Sequence, residues 1–170
     1  MKLNYQFYKN NAVQVALDLI GKKLVFGAYQ GIITETEAYR GSDDAASHAF
    51  SGITNRTKIM FGPAGYSYVY LIYGMYYCLN VTAEDEGSAA AVLIRGLMLP
   101  ELHLNGPGKI CRHLGITKEQ NGINMVESDN FYITNGIKIP SIKTTPRIGI
   151  KKAIDLPWRF VADFGTNINK

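Results

Sequence analysis

The segment Thr34-Glu35-Thr36-Glu37-Ala38-Tyr39 sets two carboxylates and a phenol at every second position. In an extended strand this spacing puts Glu35, Glu37 and Tyr39 on one face, because successive side chains alternate sides. Two carboxylates on one face do not suit an apolar core, so that face should line a cleft or meet water. A carboxylate beside an aromatic plate fits a general base working on a planar substrate. The plainer reading of Glu37 is a surface or capping glutamate. Asp43, Asp44 and His48 follow closely. His48 could donate a hydrogen bond to a ligand, or simply be packed. Arg95 closes the apolar run 89–94, where a guanidinium needs a carboxylate partner. If that partner is Glu37, the arginine keeps it ionised. If it is Glu35, Asp43 or Asp44, Arg95 is structural.

Tyrosines supply the second group. Six of the eleven fall between positions 66 and 77, in Tyr66-Ser-Tyr68-Val-Tyr70-Leu-Ile-Tyr73-Gly74-Met75-Tyr76-Tyr77. Each is a flat apolar plate with a polar tip, and one core strand needs few of them. Strands over 66–71 and 76–81 would form a hairpin whose tip is Ile72-Tyr73-Gly74-Met75, with Gly74 supplying the positive φ of a tight turn. Tyr73 would then project from the apex, which suits an apolar wedge inserted into DNA; the alternative is that it folds back on the core. Asn80, at the end of the second strand, could read a base edge or serve as a turn residue.

The elements that must position these groups follow from periodicity. Residues 11–20 read as an amphipathic helix stopped by Gly21. Residues 24–26, 31–39 and 89–94 read as strands, and 41–65 as a loop-rich stretch in which Asp43-Asp44 caps a short helix through His48. Asn105-Gly106-Pro107-Gly108-Lys109 opens a helix ending at Gly115, and its free N–H groups could meet a phosphate. Short strands are expected over 131–133, 138–142 and 147–150, with Pro157-Trp158-Arg159-Phe160 closing the domain. The fold class is α+β: a single domain over 1–170, with a curved, mostly antiparallel sheet, surrounding helices and a protruding hairpin.

Composition narrows the function classes. The 170 residues are 46% hydrophobic, enough to bury one core. The net charge is +4 and the pI about 9.0, and residues 130–154 carry Lys138, Lys143, Arg147, Lys151 and Lys152 with no acid. That stretch reads equally as a solvated surface or a phosphate-facing one. Cys78 and Cys111 lack metal spacing and read as reduced core thiols; His103 and His113 read as structural or surface residues. The N-terminus has no hydrophobic signal core and no apolar run approaches a membrane span, so a soluble, cytoplasmic protein is expected. No Walker, GxSxG, HExxH or EF-hand pattern occurs. Stacking rings, one carboxylate base, an arginine, a protruding tyrosine and basic flanks are together what nucleotide flipping requires.

The same residues resemble a known family. Thr34-Glu-Thr-Glu-Ala-Tyr39-Arg-Gly41 with Ala46-Ser-His48, Asn55-Arg56, Met60-Phe-Gly-Pro63, Tyr68-Val-Tyr70-Leu-Ile-Tyr73-Gly-Met-Tyr76, Cys78-Leu-Asn80, Val92-Leu-Ile-Arg95, Gly106-Pro-Gly-Lys109 and Arg147-Ile-Gly149 are similar to the alkyladenine (3-methyladenine) DNA glycosylases. The matches run in order from about residue 12 to 160. The loop 50–56 is shorter and less basic than the family pattern, and Tyr66 is bulkier. The resemblance implies a monofunctional base-excision repair enzyme that hydrolyses the N-glycosidic bond of 3-methyladenine, 7-methylguanine, hypoxanthine or ethenoadenine. It implies Glu37 and Arg95 as the catalytic pair. Tyr39 and Tyr70 would sandwich the flipped base, with His48 on the opposite side of the pocket from Tyr70. Asn80 would lie at the purine's minor-groove edge and Ile148 would offer a backbone contact. Tyr73, Met75, Tyr76, Lys109 and Arg147 would bind DNA. The implied partner is double-stranded DNA containing damaged purines, met by a monomer in the cytoplasm at the nucleoid. No metal or other cofactor is implied, and no lysine lies in the pocket motifs, so neither a Schiff base nor strand cleavage is expected. Two alternatives remain open: a non-catalytic damaged-DNA-binding relative, and a sheet domain binding RNA or protein through its tyrosine strand.

Overall fold

The structure, a computed structural model, describes residues 1–165. Its first helices are α1 (Tyr5–Tyr8) and α2 (Ala12–Leu19). Asn11 caps α2, its side chain accepting from the Val13 N–H at 3.0 Å, and Gly21 turns the chain out at φ 85°. Ala12, Val15, Ala16 and Leu19 form the buried stripe expected of 3.6-residue periodicity.

That stripe packs against a sheet in which every pairing is antiparallel. Its strands are β1 (Lys23–Phe26), β2 (Tyr29–Tyr39), β3 (Ser67–Ile72), β4 (Tyr76–Ala83), β5 (Ala90–Leu99), β6 (Leu102–Asn105), β7 (Phe131–Thr134), β8 (Ser141–Thr145) and β9 (Arg159–Asp163). The main order is β3-β4-β5-β2-β1-β7, with β6 beside β5, β9 beside β2 and β8 beside β9. The sheet curls, so one face packs on the helices and the other encloses a cavity. Val69, Leu79, Val81, Val92 and Ile94 join α2 in the main core. Tyr68, Ala91, Met60 and Ala49 form a smaller cluster on the cavity side.

Register sets the site before any side chain is considered. Tyr68 lies opposite Asn80, Asn80 opposite Leu93, Leu93 opposite Glu37 and Glu37 opposite Arg159. Residues directly opposite in antiparallel strands share a face. This row therefore carries a carboxylate, an amide and a phenol across five strands. The second helix expected from sequence is present as α3 (Pro107–Leu114), with Pro107 in its first turn and Gly115 in the left-handed region at its end.

Several local expectations are corrected. β5 does not stop at Ile94 but continues to Leu99, and Arg95 lies within it. The β2–β5 pairing shifts twice, so that Thr34 and Arg95 have no opposite partner. Such a bulge re-aims a side chain, and Gly96 permits it: a Cβ there would lie 2.5 Å from Thr34 Oγ1. Asn80 stands inside β4 rather than at its end. Asp44 caps no helix through His48; the short 3₁₀ turn His48–Ser51 is capped by Ser47. The strand expected over 138–142 is β8, displaced toward the C-terminus, and 147–150 is loop. Neither α1 nor β6 has a counterpart in the sequence reading, and β9 is a strand where only a closing segment is expected.

Candidate functional site

The curled face encloses a cavity of about 800 Å³. Tyr39, His48, Tyr68, Tyr70, Asn80, Leu93, Arg95 and Ile148 line it, and Tyr73, Tyr76, Lys109, Arg112, Lys151 and Lys152 stand around it. The sequence candidates from six separate segments thus meet in one place. The size lies within the range of small-molecule pockets, and apolar walls with a few polar groups are their usual make-up.

Glu37 lies behind the wall of this cavity with none of its surface exposed. Its Oε2 accepts from the Tyr39 hydroxyl at 2.8 Å. Its Oε1 accepts from the Ile148 N–H at 2.7 Å, and Arg95 Nε lies 3.5 Å from the same oxygen. Arg95 is shared: its Nε donates to Glu35 Oε1 at 3.1 Å. Glu35 Oε1 accepts as well from Arg159 Nε, at 2.6 Å. Of the carboxylates open to Arg95 from sequence, Glu37 and Glu35 are therefore engaged together. Burial, and then the charge of Glu37, push the Tyr39 phenol far above its ordinary value, so the ring keeps the proton it donates.

The aromatic walls differ in part from the expectation. His48 is not across the pocket from Tyr70; the two rings meet edge to face at 4.6 Å and belong to the same wall. His48 Nδ1 lies 3.2 Å from the Tyr68 hydroxyl. His48 is exposed on its outer side, yet desolvation of its inner side, and then the charge of Arg56, depress its pKa to about 4. The imidazole is thus neutral at neutral pH. Arg56 lies over the Tyr70 ring at 4.8 Å. Burial raises the Tyr70 phenol strongly as well. Asn80 is buried and donates to the Tyr68 carbonyl at 3.1 Å, which fixes its amide at the cavity wall. Cys78 lines the cavity and Cys111 lies outside it; both thiols are free and buried, and burial pushes Cys111 up to about 12.

Above the cavity, Tyr73 projects from the β3–β4 turn with 81% of its surface exposed. Met75 N–H donates to the Ile72 carbonyl at 3.1 Å, and Tyr73 and Gly74 have φ of 53° and 68°. Two successive positive φ values are what a type I′ turn requires. Met75 and Tyr76 are also exposed, and Tyr76 leans on the start of α3, where a Cβ on Gly108 would lie 3.2 Å from it. Lys109 is exposed and its Nζ donates to Asn105 Oδ1 at 2.8 Å.

Arg147 corrects the sequence reading most sharply. The resemblance places it at a DNA-facing surface, but it is only 6% exposed and paired with the buried Asp44. No surface remains for a phosphate. The sequence reading also misses the Glu35–Arg159 link, the Tyr68 hydroxyl beside His48, and the cavity-lining Arg112. Tyr68 has a signal, since it shares the parity of Tyr70; the ion pairs have none. The expectation of a lysine-free pocket holds for the tyrosine and carboxylate motifs only, because Lys109, Lys151 and Lys152 reach the cavity rim.

The pattern of the methylpurine-DNA glycosylase (MPG) family matches residues 6–164, and the chain belongs to that family. Among bacterial relatives, a protein of Ehrlichia ruminantium is 54% identical over 165 residues, covering 94% of this chain and 88% of its own. One of Sodalis glossinidius is 54% identical over 161 residues, covering 93% and 95%. One of Rickettsia felis is 52% identical over 160 residues, covering 92% and 90%. Each carries the name "Putative 3-methyladenine DNA glycosylase". Among the described residues no helix is long and apolar enough to cross a membrane.

Proposed function

We propose that this chain is a DNA glycosylase that flips an alkylated or deaminated purine out of duplex DNA and hydrolyses its N-glycosidic bond. The observation that carries this reading is Glu37: a carboxylate held by Tyr39, Ile148 and Arg95 behind a tyrosine-walled cavity beneath an exposed wedge. The flipped base stacks against Tyr39 and against the wall made by Tyr70 and His48. Tyr73 fills the gap in the duplex, with Met75 and Tyr76 on the neighbouring minor groove. Asn80, fixed by Tyr68, faces the purine edge and disfavours the 2-amino group of normal guanine. Ile148 adds a contact near the base, and Lys109, Arg112, Lys151 and Lys152 lie where phosphates would pass.

In the chemical step Glu37 takes a proton from water, and the resulting hydroxide attacks C1′ as the C1′–N bond breaks. The bonding pair leaves with the purine. An alkylated base that already carries positive charge departs neutral, whereas hypoxanthine must gain a proton and is slower. Of the three contacts to Glu37, the one to Arg95 is the longest, and Arg95 alone among those donors reaches Glu35 as well. The enzyme is read as monofunctional, forming no covalent intermediate through the rim lysines.

A second reading, a non-catalytic damage-binding relative, draws on the complete burial of Glu37. One experiment separates the two. Wild type and Glu37→Gln are incubated with duplexes carrying hypoxanthine or ethenoadenine, and with alkylated DNA, then treated with or without hot alkali. Purine release by wild type alone, with strand breaks only after alkali, supports the monofunctional glycosylase. Breaks without alkali would mean a lysine forms a Schiff base. Binding of the lesion duplex without purine release would leave the damage-binding reading.

A further inference from the structure

The loop over 146–157 delivers the Ile148 N–H to Glu37, yet it has little to hold it. Ile148, Lys151, Lys152, Ile154 and Asp155 are exposed, and Arg147 is the single buried residue in the stretch. Its guanidinium makes a two-pronged pair with Asp44: Nη1 donates to Oδ2 at 2.6 Å and Nη2 to Oδ1 at 2.8 Å. Nη1 donates further to the Ala38 carbonyl at 3.0 Å, between Glu37 and Tyr39 on β2. Nη2 reaches the Ala153 carbonyl at 3.4 Å. The guanidinium carbon lies 4.7 Å from the Tyr39 ring centre and 5.1 Å from that of Trp158. Asp44 uses its remaining capacity on its own loop, accepting from the Arg40 and Ala46 N–H groups, both at 3.1 Å. Arg147 Nε is buried with no partner, a cost that the bidentate geometry must offset.

One ion pair thus ties together the end of β2, the loop leading to His48, and the loop carrying Ile148. We propose that Asp44 and Arg147 are positioning residues for the reaction: they hold the Ile148 N–H on Glu37 and back the Tyr39 plate, without touching DNA. This inference rests on the glycosylase reading for its activity arm. A planar bidentate fork cannot be replaced by an ammonium, so Arg147→Lys loosens the loop while keeping the charge.

The test compares wild type, Arg147→Lys and Asp44→Asn in three measurements: single-turnover purine release, affinity for a lesion duplex across a salt series, and amide hydrogen exchange of the free protein. The expected result is a fall in release of tenfold or more in each variant. Duplex affinity should stay within about twofold, and the slope of log affinity against log salt should be unchanged. Exchange at the Ile148 amide should quicken while the β4 and β5 amides keep their protection. A duplex affinity that falls in Arg147→Lys in step with release would make Arg147 a DNA contact and overturn the proposal. Unchanged release, or an Ile148 amide protected equally in all three proteins, would overturn it as well. If Arg147→Lys does not fold, Asp44→Asn, which changes one atom, carries the same three readings. A silent wild type would sink the glycosylase reading alone, because the Ile148 exchange measurement needs no activity.

Discussion

Glu37 and Tyr73 belong to one proposed reaction but are held in opposite ways. Glu37 is wholly buried; it accepts hydrogen bonds from Tyr39 and Ile148, and the Arg95 guanidinium lies beside it, from three parts of the chain. Tyr73 is 81% exposed at a turn of two positive φ values, with no side-chain hydrogen bond among the described residues. A large L-residue in the left-handed region is held there at a conformational cost. The carboxylate is fixed by more contacts than its geometry needs, and the wedge by almost none. Both states suit the role proposed for each residue. A reacting group gains from preorganisation, whereas a wedge gains from having no partner in the free protein to give up.

The largest expected effect would come from breaking the fixed end. Glu37→Gln should lower purine release by about 10³-fold, within the range of a lost general base, while the lesion duplex still binds. The amide oxygen keeps an acceptor for Ile148 and the NH2 can donate to the Tyr39 hydroxyl oxygen, so the melting temperature should change little. Retained release in this variant would remove Glu37 from the chemistry. Arg95→Met should cost about 10²-fold in release, comparable to removal of one preorganised donor. It should also lower the melting temperature, because Glu37 loses its cation while Glu35 keeps Arg159. A variant as active as wild type would mean that Arg159 and Glu35 alone organise the site.

The wedge end gives the reverse sign. Tyr73→Asn converts the turn to Asn-Gly, the pair that type I′ turns favour. Relief of the left-handed tyrosine should stabilise the protein by about 1 kcal/mol, read as a raised melting temperature, while affinity for lesion duplex falls by about tenfold. Stability and function should therefore part company at this residue. A variant that is both less stable and equally active would break the comparison. The smallest effect concerns His48. Its folded pKa of about 4 lies below the unfolded value near 6.5. The unfolded chain therefore binds the proton first as pH falls. The contribution of neutral His48 is complete above about pH 6.5 and is lost progressively as pH falls toward 4. Denaturant titrations across that window should show a shallower pH slope for His48→Gln than for wild type. Equal slopes would mean that His48 is not desolvated by Tyr68 and Tyr70.

Much of this arrangement is legible in the sequence, for local reasons. Period two on β2 puts Glu35, Glu37 and Tyr39 on one face, and Gly74 marks the turn that lifts Tyr73. Gly21, Pro107 and Gly115 bound two helices. Motif order along the chain points to the family. The misplacements share a cause. Arg95 reads as the end of its strand because a charge after an apolar run looks like a boundary; the double register shift with β2 lets β5 continue past it. His48 falls on a different wall from the one expected, because a loop residue's direction is not encoded in its spacing.

The amino-acid sequence by itself determined which residue types are available and which alternate together: the carboxylate strand, the tyrosine hairpin and the capped helices. Their cause lies within a few residues of each, in backbone geometry and side-chain period. Tertiary structure alone decided who pairs with whom. Arg147 meets Asp44 across 103 residues, and the Ile148 N–H meets Glu37 across 111. A lysine-rich, acid-free stretch looks like surface until another segment, folded against it, buries its single arginine. Whether a cation faces DNA or braces an active site depends on that burial, and burial is a property of the whole fold.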